Sequence, residues 1–155
     1  MMNNKPIAIV TGGAGFIGSH MADLLISKNY EVRVIDNLTG GHERNIQHLQ
    51  NNNNFKFENL DITKLKPENK IFADAKYVFH FAGIGDIVPS IEKPLDYLNT
   101  NIQGTACVLE CARNNNISKF VYAASSSCYG LANTPTKENH PISPQYPYAL
   151  SKYLG

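Results

Sequence analysis

The sequence is short of cysteine, of long apolar runs and of surplus charge, and each shortage closes off a class of function. Its three cysteines are an odd number without the spacing of a disulfide framework, and they fit reduced thiols in a cytoplasmic protein. In that compartment the triplets Asn37-Leu38-Thr39 and Asn116-Ile117-Ser118 carry no glycan. The longest apolar runs, IAIV and YVFHFAG, fall far below the roughly 20 residues of a membrane-spanning helix, so no membrane partner is expected. Lys and Arg number 14 against 13 Asp and Glu, a net charge of +1 that gives no electrostatic basis for a nucleic-acid partner. The N-terminal MMNNKPIAIVTGG passes from one lysine straight into a short apolar stretch and glycines, which reads as a first strand and not as a signal peptide.

What is present is 155 residues, 43% apolar and 17% charged, the composition of one globular domain spanning 1–155. The apolar, β-branched run 7–11 reads as a strand buried on both faces. Further strands are predicted at 31–36, 55–61, 77–83 and 119–125. A helix after the first glycines places Met21, Leu24 and Leu25 inward, and a short helix is expected over 43–50. A long helix from Pro94 carries Leu98, Ile102, Leu109 and Ala112 as its buried stripe, and a last helix begins near Tyr146. Strands alternating with helices imply an α/β fold, a doubly wound parallel sheet with helices on both faces.

Gly12, Gly15 and Gly18 recur every third residue in TGGAGFIGSH, between a buried strand and an amphipathic helix. Asp36 closes the next strand 18 residues after Gly18. Glycine at 12 and 15 lets the backbone turn tightly and approach a pyrophosphate, whose charge meets the free amides and positive end of the helix. Gly18 lets that helix pack against the strands. Asp36 accepts hydrogen bonds from the adenosine ribose hydroxyls and repels a 2′-phosphate, which favours NAD over NADP. The alternative is a glycine-rich turn without ligand, which the combination of strand, helix and acid makes the weaker reading.

Tyr148 and Lys152 are four residues apart and share a helix face. A protonated Lys152 beside the phenol favours phenolate, a base suited to removing an alcohol proton while hydride leaves the same carbon. Ser125, at the carboxyl end of the fifth strand, lies at the edge where such sheets bind ligands. Alone, Tyr-x-x-x-Lys is a common helix pattern with a packing role.

Taken together, TGGAGFIGSH, Asp36-Asn37-Leu38, Asp61-Ile62, HFAG at 80–83 and the set Ser125, Tyr148, Lys152 resemble the extended short-chain dehydrogenase/reductase family. Within that family the sequence is most similar to NAD-dependent nucleotide-sugar 4-epimerases, UDP-sugar enzymes foremost. The resemblance covers essentially the whole chain and implies a Rossmann-like fold. It implies that Tyr148 is the base, that Lys152 binds the nicotinamide ribose and assists the tyrosine, and that Ser125 holds the substrate O4, with Ser126 also on the substrate side. Phe16 and Ile17 flank the pyrophosphate through their backbone, Asp36 and Asn37 meet the ribose, and Asp61 and Ile62 border the adenine. Phe81, Ala82, Gly83 and Thr100 line the inner cofactor groove.

Two departures qualify the resemblance. Gly85 stands where many UDP-galactose 4-epimerases have lysine. Ser126 and Ser127 stand where sugar 4,6-dehydratases carry an acid pair, and serine hydroxyls are poor proton acceptors and donors for eliminating water. Dehydration is therefore the weaker expectation; the alternatives are a related dehydrogenase, reductase or decarboxylase, or a catalytically inactive NAD-binding fragment.

Cys107 and Cys111 are two thiols without further ligands, His80 reads as a hydrogen-bonded core residue, and no metal site is expected. The resemblance further implies a chain truncated after the fifth strand and the Tyr-x-x-x-Lys helix, lacking a C-terminal substrate lobe. A nucleotide-diphosphate sugar is the expected partner, with a homodimer for the intact enzyme. Little activity is expected from 1–155 alone.

Overall fold

A computed structural model describes residues 5–155. Five parallel strands, β1 (Ile7–Thr11), β2 (Glu31–Asp36), β3 (Phe55–Asn59), β4 (Tyr77–His80) and β5 (Lys119–Tyr122), form one sheet in the order β3-β2-β1-β4-β5. The order reverses between β1 and β4, which opens a crevice at the carboxyl ends of those strands. Register pairs Val10 with Val34 on one side and with Phe79 on the other. The later strands end sooner than their apolar runs: β3 stops at Asn59, β4 at His80 and β5 at Tyr122, leaving the residues beyond to form the rim.

Helix α1 (Phe16–Ser27) covers one face, where Ala8, Val10, Val32 and Val34 meet Ala22, Leu25, Ile46 and Leu49. The opposite face packs Ile9, Ile35 and Val78 against Val108, Cys111 and Ala112. Side chains of β1 thus alternate between two cores, as a strand buried on both faces requires. The predicted inward set of α1 is corrected: Gly18, Ser19, Ala22 and Leu25 are buried, whereas Leu24 is half exposed. Small residues form the contact because Gly18 lies against the Gly12 carbonyl, and no bulky residue fits there. Residues 43–50 form two short 3₁₀ turns instead of a helix.

The long helix is interrupted. Helices α2 (Val88–Glu92) and α3 (Pro94–Leu98) lead into a π-helical turn, Asn99–Gln103, before α4 (Gly104–Asn114). Its buried stripe runs Tyr97, Asn101, Thr105, Val108 and Ala112. Of the expected stripe only Ala112 is fully buried, and Leu109 is exposed. Helix α5 (Pro147–Leu154) starts as expected and packs on α3 and the π turn. No helix among the described residues is long and apolar enough to cross a membrane.

Candidate active site

A groove of about 690 Å³ follows the carboxyl edge of the sheet, within the roughly 300–1,000 Å³ of typical ligand sites. Gly12, Gly15, Asp36, Asn37, Asp61, Ile62, Phe81, Ala82, Gly83 and Thr100 all border it. Phe16, Ile17 and Gly18 do not: the first two point their side chains to solvent and Gly18 faces inward. Thr39, Gly40 and Gly41 also line the groove, as do Leu60, Ile84, Gly85, Asp96 and Asn99. Sequence reasoning missed them, although Thr39-Gly40-Gly41 directly follows the acid that closes β2.

The geometry explains why these residue types recur here. Gly12 has φ +69°, and a Cβ on it would lie 2.6 Å from the Ala82 amide nitrogen. Gly15, with ordinary extended backbone, has open space where a side chain would go apart from the Gly12 carbonyl at 3.2 Å. It precedes α1, whose first turn has neither a capping side chain nor an acid. The leading amides and the positive helix end are thus uncompensated by the protein's own side chains, a surface suited to an anion.

Asp36 supplies the opposite charge at the far side of the same turn. It is 7% exposed; its Oδ2 accepts from the Ala14 amide at 3.0 Å and its Oδ1 from the Leu38 amide at 2.8 Å. Each carboxylate oxygen has two lone pairs, so both retain one for a hydroxyl donor. Asp61 Oδ1 accepts from the Thr63 amide at 2.9 Å and the Thr63 hydroxyl at 2.8 Å, which caps the Ile62–Lys64 turn and shapes that end of the groove.

A second cavity, about 290 Å³, contains Ser125 and Lys152 with Tyr122, Cys128 and Tyr129 among its lining. Ser125 caps the Ser126–Tyr129 turn by accepting from the Ser127 amide at 3.2 Å, which leaves its own proton free to donate. Ser126 is exposed. Tyr148 borders neither cavity; its ring meets Tyr97 edge-on at 6.3 Å and stacks with Tyr146 at 6.5 Å. Tyr97 in turn donates to the carbonyl of Gly85 on the groove wall at 2.6 Å.

The Lys152 ammonium has an aromatic partner beside the second cavity. Lys152 Nζ lies 4.2 Å above the Tyr122 ring. Burial lowers the Lys152 pKa, with the neighbouring Cys128 thiol opposing that shift, and an aromatic face is the available partner for a cation taken partly out of water. Burial likewise pushes the Tyr122 phenol up to about 12, with Cys128 and Tyr148 adding to it. Tyr122 is thus a neutral platform for the lysine.

Comparison with known proteins identifies the family. A family model described as "GDP-mannose 4,6 dehydratase" matches residues 9–155. The chain belongs to this family, the NAD-dependent epimerases and dehydratases. A putative UDP-glucose 4-epimerase of Methanocaldococcus jannaschii is 45% identical over 150 residues, covering 95% of this chain and 48% of the relative. A UDP-N-acetylglucosamine 4-epimerase from Methanobrevibacter ruminantium M1, solved with UDP-N-acetylmuramic acid, superposes with a TM-score of 0.90 at 37% identity, over 97% of this chain and 48% of that one. The dTDP-glucose 4,6-dehydratase DesIV from Streptomyces venezuelae, solved with NAD and TYD, gives a TM-score of 0.88 at 30% identity, over 96% and 48% of the two chains. The chain therefore spans about half the length of these epimerase and dehydratase relatives.

Proposed function

We propose that this chain forms the dinucleotide-binding part, with the tyrosine helix, of an NAD-dependent nucleotide-sugar 4-epimerase acting on a UDP-sugar. The observation that carries the reading is the pairing, across one groove, of the bare N-terminus of α1 with the Asp36 carboxylate. A dinucleotide offers the complementary pair, a pyrophosphate for the helix end and a ribose diol for the acid. Asp36 would repel a 2′-phosphate, which favours NAD over NADP.

The residues present fit NAD. Gly12 and Gly15 would admit the backbone close to the pyrophosphate, Asp36 and Asn37 would hold the adenosine ribose, and Asp61 and Ile62 would border the adenine. Phe81, Ala82, Gly83 and Thr100 line the inner end. When bound, the nicotinamide supplies a reversible hydride acceptor for sugar C4. Tyr148 removes the proton from the C4 hydroxyl as general base and returns it afterwards, while Ser125, with its proton free, hydrogen-bonds the same oxygen. Lys152, which shares the Ser125 cavity and rests over the Tyr122 ring, would hold the nicotinamide ribose and assist Tyr148. Epimerisation needs these groups and no further acid or base: C4 becomes a transient keto group, the keto sugar turns over in the site, hydride returns to its opposite face, and net redox is zero.

Both epimerase and dehydratase relatives share the fold, so Ser126 and Ser127 carry the distinction. Elimination of water requires a proton donor and acceptor beyond Tyr148, and serine supplies neither readily near neutral pH. The reading is tested by incubating the protein that carries this chain with UDP-, dTDP-, GDP- and CDP-sugars and following the C4 configuration by NMR. Interconversion of a UDP-sugar pair is the expected result. A 4-keto-6-deoxy product would assign a dehydratase instead.

A further inference from the structure

A buried line of polar side chains runs beneath the groove to the tyrosine helix, and the direction of every hydrogen bond in it is determined. Thr105 donates to the Asn101 carbonyl at 2.6 Å. Its oxygen therefore accepts from His80 Nε2, 2.9 Å away, which places the ring proton on that nitrogen. Nδ1 is then the acceptor, taking the Thr11 hydroxyl proton at 2.6 Å. Thr11 oxygen is left to receive the amide of Ala82 at 3.3 Å, on the groove wall.

Asn101 continues the line in the other direction. Its Oδ1 accepts from the Ile84 amide at 2.7 Å, and its Nδ2 donates to the Ile84 carbonyl at 3.0 Å and to Ser151 Oγ at 2.9 Å. Ser151 passes its own proton to the Tyr148 carbonyl at 2.8 Å. Thr11, His80, Asn101, Thr105 and Ser151 are each no more than 2% exposed. Breaking one link leaves a buried group unpaired, so the set holds together or fails together.

Asn101 is the joint: it sits in the π turn, and its side chain bonds both Ile84 and Ser151 of α5. From this geometry we infer that Asn101 is a positioning residue which, through Ser151, fixes the Tyr148 helix to the wall of the groove, so that a dinucleotide filling the groove also tightens that helix. The inference rests on the dinucleotide reading of the groove. Asn101 acts only through Ser151 and Ile84 and touches no reacting atom.

The test is hydrogen exchange of the α5 amides in the wild type, Ser151→Ala, Thr105→Val and Thr105→Ser, with and without NAD, alongside calorimetric NAD binding. Loss of one buried link should speed α5 exchange about fivefold in Ser151→Ala. Alanine is the better helix former, so local propensity alone predicts the same rate or a slower one. Thr105→Val keeps the shape and loses the hydroxyl, and should loosen α5, while Thr105→Ser keeps the hydroxyl and should not. NAD should slow α5 exchange in the wild type and leave it unchanged in Ser151→Ala, although both bind NAD. Unchanged or slower exchange in nucleotide-free Ser151→Ala, or equal slowing by NAD in both proteins, would overturn the inference. Absence of NAD binding by the wild type would instead remove the cofactor reading, and the nucleotide-free comparison would still decide whether Asn101 and Ser151 position the helix.

Discussion

His80 Nδ1 lies 2.6 Å from the Thr11 hydroxyl, and both residues are fully buried at the ends of adjacent strands. Burial, with a smaller contribution from the Lys152 charge, lowers the His80 pKa from 6.5 to about 3. The unfolded chain therefore takes up a proton near pH 6.5 that the folded chain refuses until about pH 3. Stability from this residue is full above pH 6.5 and declines as pH falls. The expected loss between pH 7.5 and 5.5 is about 1.4 kcal/mol. Urea denaturation at the two values measures it, and an unchanged midpoint would contradict the burial of a neutral imidazole.

Glycines 15 and 18 should separate binding from stability. A Cβ at Gly18 would collide with the backbone at Gly12 and Gly13, so Gly18→Ala should lower stability by about 1–3 kcal/mol. Gly15→Ala meets only the Gly12 carbonyl, at 3.2 Å, and should cost no more than about 1 kcal/mol. It nevertheless places a methyl where a pyrophosphate approaches, and should weaken NAD binding at least as much as Gly18→Ala does. Denaturation and calorimetry on the two variants distinguish the roles.

Asp36→Asn replaces one acceptor oxygen by an amide donor. Either the Ala14 or the Leu38 amide, both now paired, loses its partner, at about 1–3 kcal/mol of stability. The repulsion of a 2′-phosphate also disappears. The ratio of NADP to NAD affinity should rise, and an unaltered ratio would show that Asp36 does not set the choice of dinucleotide.

Tyr148→Phe removes a hydroxyl from a ring held by Tyr97 and Tyr146 and should leave the packing intact. In the protein that carries this chain, turnover of a UDP-sugar should fall by about 10²–10⁴ while NAD remains bound. Retained turnover would remove Tyr148 as the base.

The sheet was legible in the sequence because buried parallel strands write themselves as apolar runs, IAIV above all, and because glycines and an acid punctuate the strand ends. The lining of the groove was legible for a related reason: Gly12, Asp36, Asp61 and Phe81 each follow the apolar part of a strand. In the helix after Pro94, Ala112 is buried as its pattern predicts, whereas at Leu98, Ile102 and Leu109 the buried face lies one residue earlier. That face carries Asn101 and Thr105, which are at home in the interior only because His80, Ile84 and Ser151 satisfy them. A hydrophobic pattern cannot register such residues, and it drew the stripe through Leu98, Ile102 and Leu109 instead. The ring beneath the Lys152 ammonium is equally illegible: Tyr122 is remote in sequence, and only the fold brings it under the lysine.

The most direct test of the groove's function is calorimetric titration of this chain with NAD and NADP at matched ionic strength. Saturable binding of NAD, with NADP weaker by about tenfold or more, is the predicted result, since one buried carboxylate facing a phosphate is worth more than about 1.4 kcal/mol. Preference for NADP, or binding of neither, would contradict the account.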